Sequence, residues 1–239
     1  MATRQPFPHA PLDECGLNRQ AVFNLHELPT DLIASLGYRG AAGLALRQLI
    51  LIGHGGKALW EAVAHSGIAS ADPIDEFTVR TVRAWMAGYL PGHCYEILYP
   101  GTQPVALQGL GALAGWHHAS PLMLGIDAEW GTWYAYRAVV LADTDFAPFP
   151  VVDRAPPGDD SPCASCRDRP CIDACPAAAM AGGSFKLEKC VAFRQQEDSP
   201  CAFTCLARVA CPVASEHRYS AEQLHHSYSI SLQTIRKHD

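Results

Sequence analysis

The sequence lacks any block of basic residues and any long apolar segment. Its 239 residues contain 18 Lys and Arg against 24 Asp and Glu, a formal net charge of −6, so nothing indicates binding to DNA or RNA. The longest apolar stretch, AAGLALRQLILIG, carries Arg47 and Gln48 and is too short to span a bilayer. The first residues, MATRQPFPHAPLDECG, have no apolar core of the signal-peptide kind. We therefore expect a cytoplasmic protein with no nucleic-acid or membrane partner.

The patterns of a hydrolase are also missing. No Ser/His/Asp order, no pair of carboxylates and no nucleophile elbow is visible. The sequence therefore predicts no catalytic acid, base or nucleophile, and these patterns leave open whether the protein is an enzyme.

Cysteine, by contrast, is abundant and concentrated. Eight of the ten cysteines lie between Cys163 and Cys211, whereas Cys15 and Cys94 stand apart and are expected to be small core residues. In a reducing cytoplasm, dense cysteine indicates metal or redox chemistry more often than disulfides.

The spacing of these cysteines resembles that of an iron–sulfur protein. Residues 163–176, CASCRDRPCIDACP, read C-x2-C-x4-C-x3-C-P, and the run from Cys190 reads C-x10-C-x3-C-x5-C-P. Each half supplies four thiols, the number that one [4Fe–4S] cluster requires. In two-cluster ferredoxins the cysteine before the proline ligates the other cluster. Applied here, this rule predicts one set of Cys163, Cys166, Cys171 and Cys211, and a second set of Cys175, Cys190, Cys201 and Cys205.

Three other interpretations of the cysteines stay open. A structural zinc site also needs four thiols, but usually as two C-x2-C pairs, and only Cys163 and Cys166 have that spacing. The second is a single cluster, since the C-x4-C loop is wider than the ferredoxin spacing. The third is oxidation of the cysteines to disulfides.

Upstream of the cysteines, the apolar pattern predicts an α+β fold with helices packed on a sheet. An apolar run before Gly53 indicates a buried strand, and Thr30 with Asp31 looks like the cap of a short helix. The clearest helix spans residues 75–90, with Val79, Val82, Met86 and Tyr89 on one face. Further predicted elements are helices at 57–65 and 105–114 and strands at 48–52, 95–99 and 133–141.

Prolines mark a boundary after this region. The segment 144–162 contains five prolines, which exclude a helix or a central strand. We expect a first domain over 1–146, with 1–45 poorly defined, a proline-rich connection over 147–162, and an iron–sulfur module with a tail over 163–239.

The chain resembles two families that handle cobalamin. Residues 163–212, including KLEKCVAF, resemble the two-cluster ferredoxin module of the epoxyqueuosine reductases, and GWHHASPLMLGIDAEWGTWYAYRAVVLAD resembles part of their catalytic region. Residues 126–146, IDAEWGTWYAYRAVVLADTDF, are similar to the cobalamin-processing protein of the CblC type. The resemblance implies a nitroreductase-like sheet joined to a small C-terminal ferredoxin-like module, in which two [4Fe–4S] clusters pass electrons to a bound cobalamin.

One departure concerns the acid of the reductases. Those enzymes carry an acidic residue shortly before the helix that leads into a Gly-Trp pair, here Gly115 and Trp116. The comparable stretch, YPGTQPVALQGLGALAGW, contains no Asp or Glu. Opening an epoxide needs a positioned acid, and this stretch supplies none.

Two further groups are candidates for holding a cofactor. GHGGK, residues 53–57, could offer backbone N–H groups and a lysine to a phosphate, or be a tight turn that needs glycine. Trp116 and His117 could face a cofactor, as could the aromatic residues near 133, or they could serve as core and hydrogen-bonding residues. The cofactor-binding candidates are Gly53, Gly55, Lys57, Trp116, His117, Trp133 and Tyr134.

The resulting hypothesis is intracellular electron transfer. Reduced ferredoxin or flavodoxin would donate electrons to the clusters, and a corrinoid such as cobalamin, or a flavin such as FMN, in the first domain would accept them to reduce a small molecule. The alternative is a non-enzymatic ferredoxin-like carrier or cobalamin-trafficking protein, with the clusters as relay or structural staple.

Overall fold

The computed structural model describes residues 4–36, 46–149 and 161–237. Within these ranges the chain forms two compact units: the first contains the residues up to 117 together with 134–149, and the second contains 118–133 together with 161–237. Most of the proposed proline-rich connection, residues 150–160, lies outside the described residues, as does part of the N-terminal region, residues 37–45. No helix in the described ranges has the length and apolar character needed to cross a bilayer.

The first unit is built on an antiparallel four-stranded sheet with the order β1-β2-β6-β3. Its strands are β1 (Arg19–Asn24), β2 (Gln48–Gly55), β3 (Tyr95–Tyr99) and β6 (Tyr134–Ala142). Its helices are α1 (Ala10–Glu14), α2 (Thr30–Ser35), α3 (Ala58–His65), α4 (Pro73–Tyr89) and α5 (Leu107–Leu113). The predicted strands and helices downstream of residue 46 in this unit are confirmed, and so is the mixed class of helices and strands; the structure adds that the sheet is antiparallel.

Both faces of this sheet are covered, which explains the unbroken apolar run of its central strand. Every residue of β2 is buried, as expected for a strand with packing on both sides. On one face, Ile50 and Ile52 pack with Val82 of α4 and Leu59 of α3. On the other face lies α5, whose Gly111 backbone directly contacts Tyr136 of β6.

A bulge changes the register between the two central strands. Ile52 pairs with Ala138 but Gly53 pairs with Tyr136, so Arg137 is the extra residue. The bulge places Arg137 on the same face as Ala138, where its Nη1 lies 3.9 Å from Asp75 Oδ1 of α4. Tyr134 and Tyr136 remain together on the opposite face, with ring centres 5.9 Å apart.

Two predictions about helices were wrong in detail. The buried residues of α4 are Ile74, Thr78, Val82, Trp85 and Met86, whereas Tyr89, assigned to the apolar face, is 55% exposed because it ends the helix. Thr30 is not a cap: it is the first residue of α2, and Pro29 precedes it without a side-chain hydrogen bond.

The second unit consists of short helices and one long one. Its elements are β4 (His118–Ala119), β5 (Gly125–Ile126), α6 (Pro162–Ser165), α7 (Pro170–Asp173), α8 (Leu187–Arg194), α9 (Leu206–Val209) and α10 (Ala221–Lys237). The short helices carry or flank the cysteines, and a small apolar cluster of Leu122, Cys171, Met180 and Ala207 lies among them.

Candidate metal centres and aromatic site

The first predicted set of thiols comes together around α6, α7 and α9. Cys163 lies in α6, whose start is capped by the Ser161 hydroxyl at 3.3 Å from the Cys163 amide. Burial raises the pKa of the Cys163 thiol, and the charges of Cys211 and Cys166 raise it further. Burial likewise raises the pKa of Cys171, helped by Cys211, Cys163 and Cys166. Cys211, forty residues further along the chain than Cys171, therefore lies within electrostatic reach of Cys163 and Cys171.

The second predicted set lines one cavity of about 140 Å³. Its four thiols are those of Cys175, Cys190, Cys201 and Cys205. Burial raises the pKa of the Cys190 thiol. The charges of Cys205 and Cys175 raise this pKa further, and the charge of Arg194 lowers it. Burial also raises the pKa of Cys201, again with contributions from Cys205 and Cys175. The two sets do not mix in these interactions.

The surroundings of the second set fit a cluster with thiolate ligands. The cavity walls are mostly apolar, with Leu122, Met180 and Phe193 among them, and such walls keep water from the sulfur atoms. No group of three or more His, Cys, Asp or Glu residues within the described ranges stands close enough to hold a single metal ion. A cube spreads its ligands, one thiolate on each iron, so its thiols stand further apart than those around one ion.

The second unit contains two buried arginines, and Arg194 lines this cavity. Arg194, at the end of α8, is 7% exposed and its Nε donates to the Cys201 carbonyl at 3.2 Å. Arg208, in α9, donates to the Thr132 carbonyl, and its guanidinium lies 4.6 Å from the centre of the Trp133 ring. Burial raises the pKa of Tyr228 in α10 to about 12, so that phenol stays neutral beside the thiols.

The structure brings Trp116 and Tyr134 together around a buried arginine. The guanidinium of Arg19, at the start of β1, lies 4.7 Å from the Trp116 ring centre and 4.6 Å from that of Tyr134. Trp116 also stacks on Tyr136 with ring centres 6.2 Å apart. The Tyr136 hydroxyl lies 3.5 Å from His117 Nδ1. This aromatic site, defined by Arg19, Trp116, His117, Tyr134 and Tyr136, joins three of the predicted cofactor residues.

Most of the GHGGK segment, residues 53–57, is strand, whereas the sequence predicted a turn over the whole segment. β2 continues through Gly55, so the turn is limited to Gly56 and Lys57. The amide of Gly55 donates to Asn18 Oδ1 at 2.8 Å. A Cβ on Gly53 would meet the Ala135 carbonyl at 2.9 Å and the Trp116 ring at 3.2 Å. Gly53 therefore lies beside the aromatic site, whereas Lys57 is exposed at the start of α3.

Three further residues singled out in the sequence, Trp133, Cys15 and Cys94, belong neither to the two cysteine sets nor to the aromatic site. Trp133 belongs to the second unit, where it is fully buried against Tyr219 and Leu224. Cys15 is half-buried, and burial raises the pKa of its thiol. Cys94 is exposed, so its assignment as a core residue was wrong.

The sequence reasoning missed Arg19, Arg194 and Arg208. Each is at least 92% buried, and arginine is rarely buried without a partner. No local pattern could have identified them, because their partners lie far away in sequence: Tyr134 for Arg19 and Thr132 for Arg208.

A second polar group of the first unit was also missed. Arg137 Nε donates to the fully buried His54 at 3.0 Å. Burial raises the pKa of Asp75, and the positive charge of Arg137 opposes that shift. Asp75 is thus a carboxyl of the first unit with a raised pKa, outside the acid-free stretch 99–116.

Comparisons with known proteins identify relatives by structure alone. No protein-family model matches the chain, and no curated protein is similar to it in sequence. Epoxyqueuosine reductase from Bacillus subtilis, with its catalytic loop swung out of the active site, gives a TM-score of 0.50 at 11% identity over 89% of this chain and 66% of that one. An epoxyqueuosine reductase with an epoxyqueuosine-modified tRNA stem loop gives 0.50 at 12% identity over 90% and 66%.

The chain spans about two thirds of the length of the solved structures that it matches. The tRNA stem loop is bound to that reductase. Identity this low shows similarity of fold only. The chain therefore shares the fold of the epoxyqueuosine reductases.

Proposed function

We propose that the protein is an iron–sulfur oxidoreductase. Residues 163–239 form its ferredoxin-like module. Cys163, Cys166, Cys171 and Cys211 hold one [4Fe–4S] cluster, and Cys175, Cys190, Cys201 and Cys205 hold the other. The observation that supports this proposal is that Cys175, Cys190, Cys201 and Cys205 line one cavity, while Cys163, Cys166, Cys171 and Cys211 lie within electrostatic reach of one another. The agreement of this grouping with the ferredoxin crossover rule supports it further.

The residues of this chain have definite roles in that module. The thiols bind iron as thiolates, and the apolar walls around the second set exclude water. Because burial raises the pKa of the free thiols, iron must displace their protons on binding, so assembly releases protons. When bound, such clusters supply one-electron transfer.

The electron acceptor is a corrinoid or a flavin held by the first unit, which has the nitroreductase-like fold of the cobalamin-processing proteins. The fold shared with the epoxyqueuosine reductases supports a reductive role of this kind. The candidate contacts for this acceptor are in the aromatic site, where the buried cation Arg19 lies against the rings of Trp116 and Tyr134. Reduced ferredoxin or flavodoxin is the donor. Since residues 99–116 contain no Asp or Glu, we infer that the substrate needs no proton from that stretch.

Anaerobic purification tests the clusters directly. About eight irons and as many acid-labile sulfides per chain are expected for two clusters, and about four for one. Stoichiometric zinc without sulfide would show that the module is a zinc site and would overturn the proposal.

A titration with cob(II)alamin and, separately, with FMN tests the acceptor. We expect one of them to change its absorption spectrum on binding, and Trp116→Ala to weaken that binding more than Trp60→Ala does. Trp60 lies in α3, on the opposite face of the sheet. Saturable binding of neither cofactor would leave a ferredoxin-like carrier as the function, and a gel-shift assay with a tRNA stem loop reveals whether nucleic acid binds.

A further inference from the structure

Arg194 is a buried cation whose hydrogen bonds all go to neutral oxygens. Its Nε and Nη2 donate to the carbonyls of Cys201 and Ala202 at 3.2 and 3.3 Å. Its Nη2 also donates to the Tyr228 carbonyl at 3.0 Å, and its Nη1 to the Ser231 hydroxyl at 3.0 Å. The guanidinium thus connects the loop of Cys201 to α10, and it has no carboxylate partner among the residues that the structure describes.

A buried guanidinium needs a countercharge. An unpaired buried ion costs several kcal/mol, and arginine cannot lose its proton to avoid this cost. The face of the Tyr228 ring lies 5.2 Å from the guanidinium carbon and adds a cation–π contact, but it carries no net negative charge. The hydrogen bonds to carbonyl and hydroxyl oxygens stabilise the guanidinium, and a negatively charged group nearby would compensate its charge fully.

The second set of thiols is that group. Arg194 lines the same cavity as Cys175, Cys190, Cys201 and Cys205. Its Nε donates to the carbonyl of Cys201, one of these four residues, at 3.2 Å, so the guanidinium lies next to the loop that carries that thiol. An iron–sulfur cluster with four thiolates carries a net negative charge, which increases by one when the cluster accepts an electron.

We propose that Arg194 is the internal countercharge of the second cluster and raises its reduction potential above that of the first. This inference rests on the proposed function. A fixed cation stabilises the reduced form, which is more negative, over the oxidised form. Around the first set the corresponding cation is Arg169, which lines a pocket together with Cys163 but is exposed, so water screens its charge. One electron shared between the clusters therefore resides mainly on the second.

The experiment is an anaerobic potentiometric titration, with dithionite as the one-electron donor and the clusters followed by EPR. The wild-type protein should show two one-electron transitions. In Arg194→Met, the transition at higher potential should shift so that the oxidised-to-reduced ratio at a fixed solution potential rises at least tenfold, about 59 mV for one electron. Arg194→Lys keeps the charge and should shift that transition less. Arg169→Met is the matched control and should leave it unchanged.

Each outcome of these measurements either supports or overturns the proposed role of Arg194. A wild-type protein without iron and sulfide removes the proposed function itself, whereas about eight irons with an unshifted transition in Arg194→Met removes this inference alone. Should Arg194→Met assemble only the first cluster, Arg194→Lys distinguishes the causes. Two clusters in the lysine variant show that the charge is required, as proposed; loss of the second cluster in both variants shows that the hydrogen bonds matter instead and overturns it.

Discussion

His93 Nδ1 lies 2.7 Å from Asp143 Oδ1. The hydrogen bond joins the residues just before β3 to the residue that follows β6, beside the pairing of Tyr95 with Ala142. Burial alone would raise the pKa of Asp143, but hydrogen bonds from His93 and the Cys94 backbone, and the charges of His93 and Arg47, lower it overall.

Asp143→Asn should lower the free energy of unfolding near neutral pH by at most about 1 kcal/mol, because the pair of His93 and Asp143 is only partly buried. A carboxyl with a lowered pKa stabilises the folded state above its ordinary pKa, and that contribution is lost as the pH falls through the lowered value. The difference between wild type and variant should therefore shrink as the pH falls below the ordinary carboxyl pKa and vanish below the lowered pKa of Asp143. Urea unfolding at several pH values measures it.

The matched control is Asp145→Asn. Asp145 is 59% exposed and lies 3.4 Å from Arg4, so its removal should change the unfolding free energy less. If Asp143→Asn were as stable as wild type at neutral pH, the hydrogen bond to His93 would make no net contribution.

Cys211→Ala should damage the cluster on Cys163, Cys166 and Cys171 and spare the other, because Cys211 acts electrostatically on Cys163 and Cys171. Iron should fall from about eight to about four per chain. Cys94→Ala, at an exposed cysteine outside both sets, should leave the iron count unchanged. Selective loss of the EPR signal of the second cluster would show that the pairing is wrong.

Gly16→Ala should lower the free energy of unfolding by about 2–4 kcal/mol, as strain and overpacking combine. Gly16 has a φ of +76°, and a Cβ there would collide with the backbone of Ala58 and Leu59 at the start of α3. Gly67→Ala separates the two causes, since Gly67 has a φ of +70° but no atom within 4 Å of a Cβ. That variant should lose only the strain, about 1–2 kcal/mol, and equal losses in both would contradict the packing argument.

Arg19→Met should destabilise the first unit by about 1–2 kcal/mol, because the cation leaves the faces of two aromatic rings. Arg19→Lys keeps the charge without the planar guanidinium and should lie between the methionine variant and wild type. Urea unfolding followed by tryptophan fluorescence compares them. A methionine variant of wild-type stability would show that the rings do not stabilise the arginine.

The strands and helices of the first unit were predictable wherever an element had strong periodicity. β2 was predictable because it contains an apolar run, LILI, followed by glycine, and α4 was predictable because its apolar residues recur at helical spacing. β1 was not predicted, since its sequence, RQAVFN, begins with two polar residues that only the fold buries. The bulge at Arg137 was also beyond prediction, because it depends on how β6 meets β2.

The eight thiols, their division at Pro176 and Pro212, and the absence of acidic residues from 99–116 follow from the sequence by itself. Short spacing between ligands is a local property, so the chain encodes it directly. The folded chain alone determined that three arginines are buried, that Arg194 shares a cavity with the second set of thiols, and that Arg19 lies between Trp116 and Tyr134. These relationships join residues far apart in sequence, and the free energy of burying a charge depends on neighbours that only tertiary packing supplies.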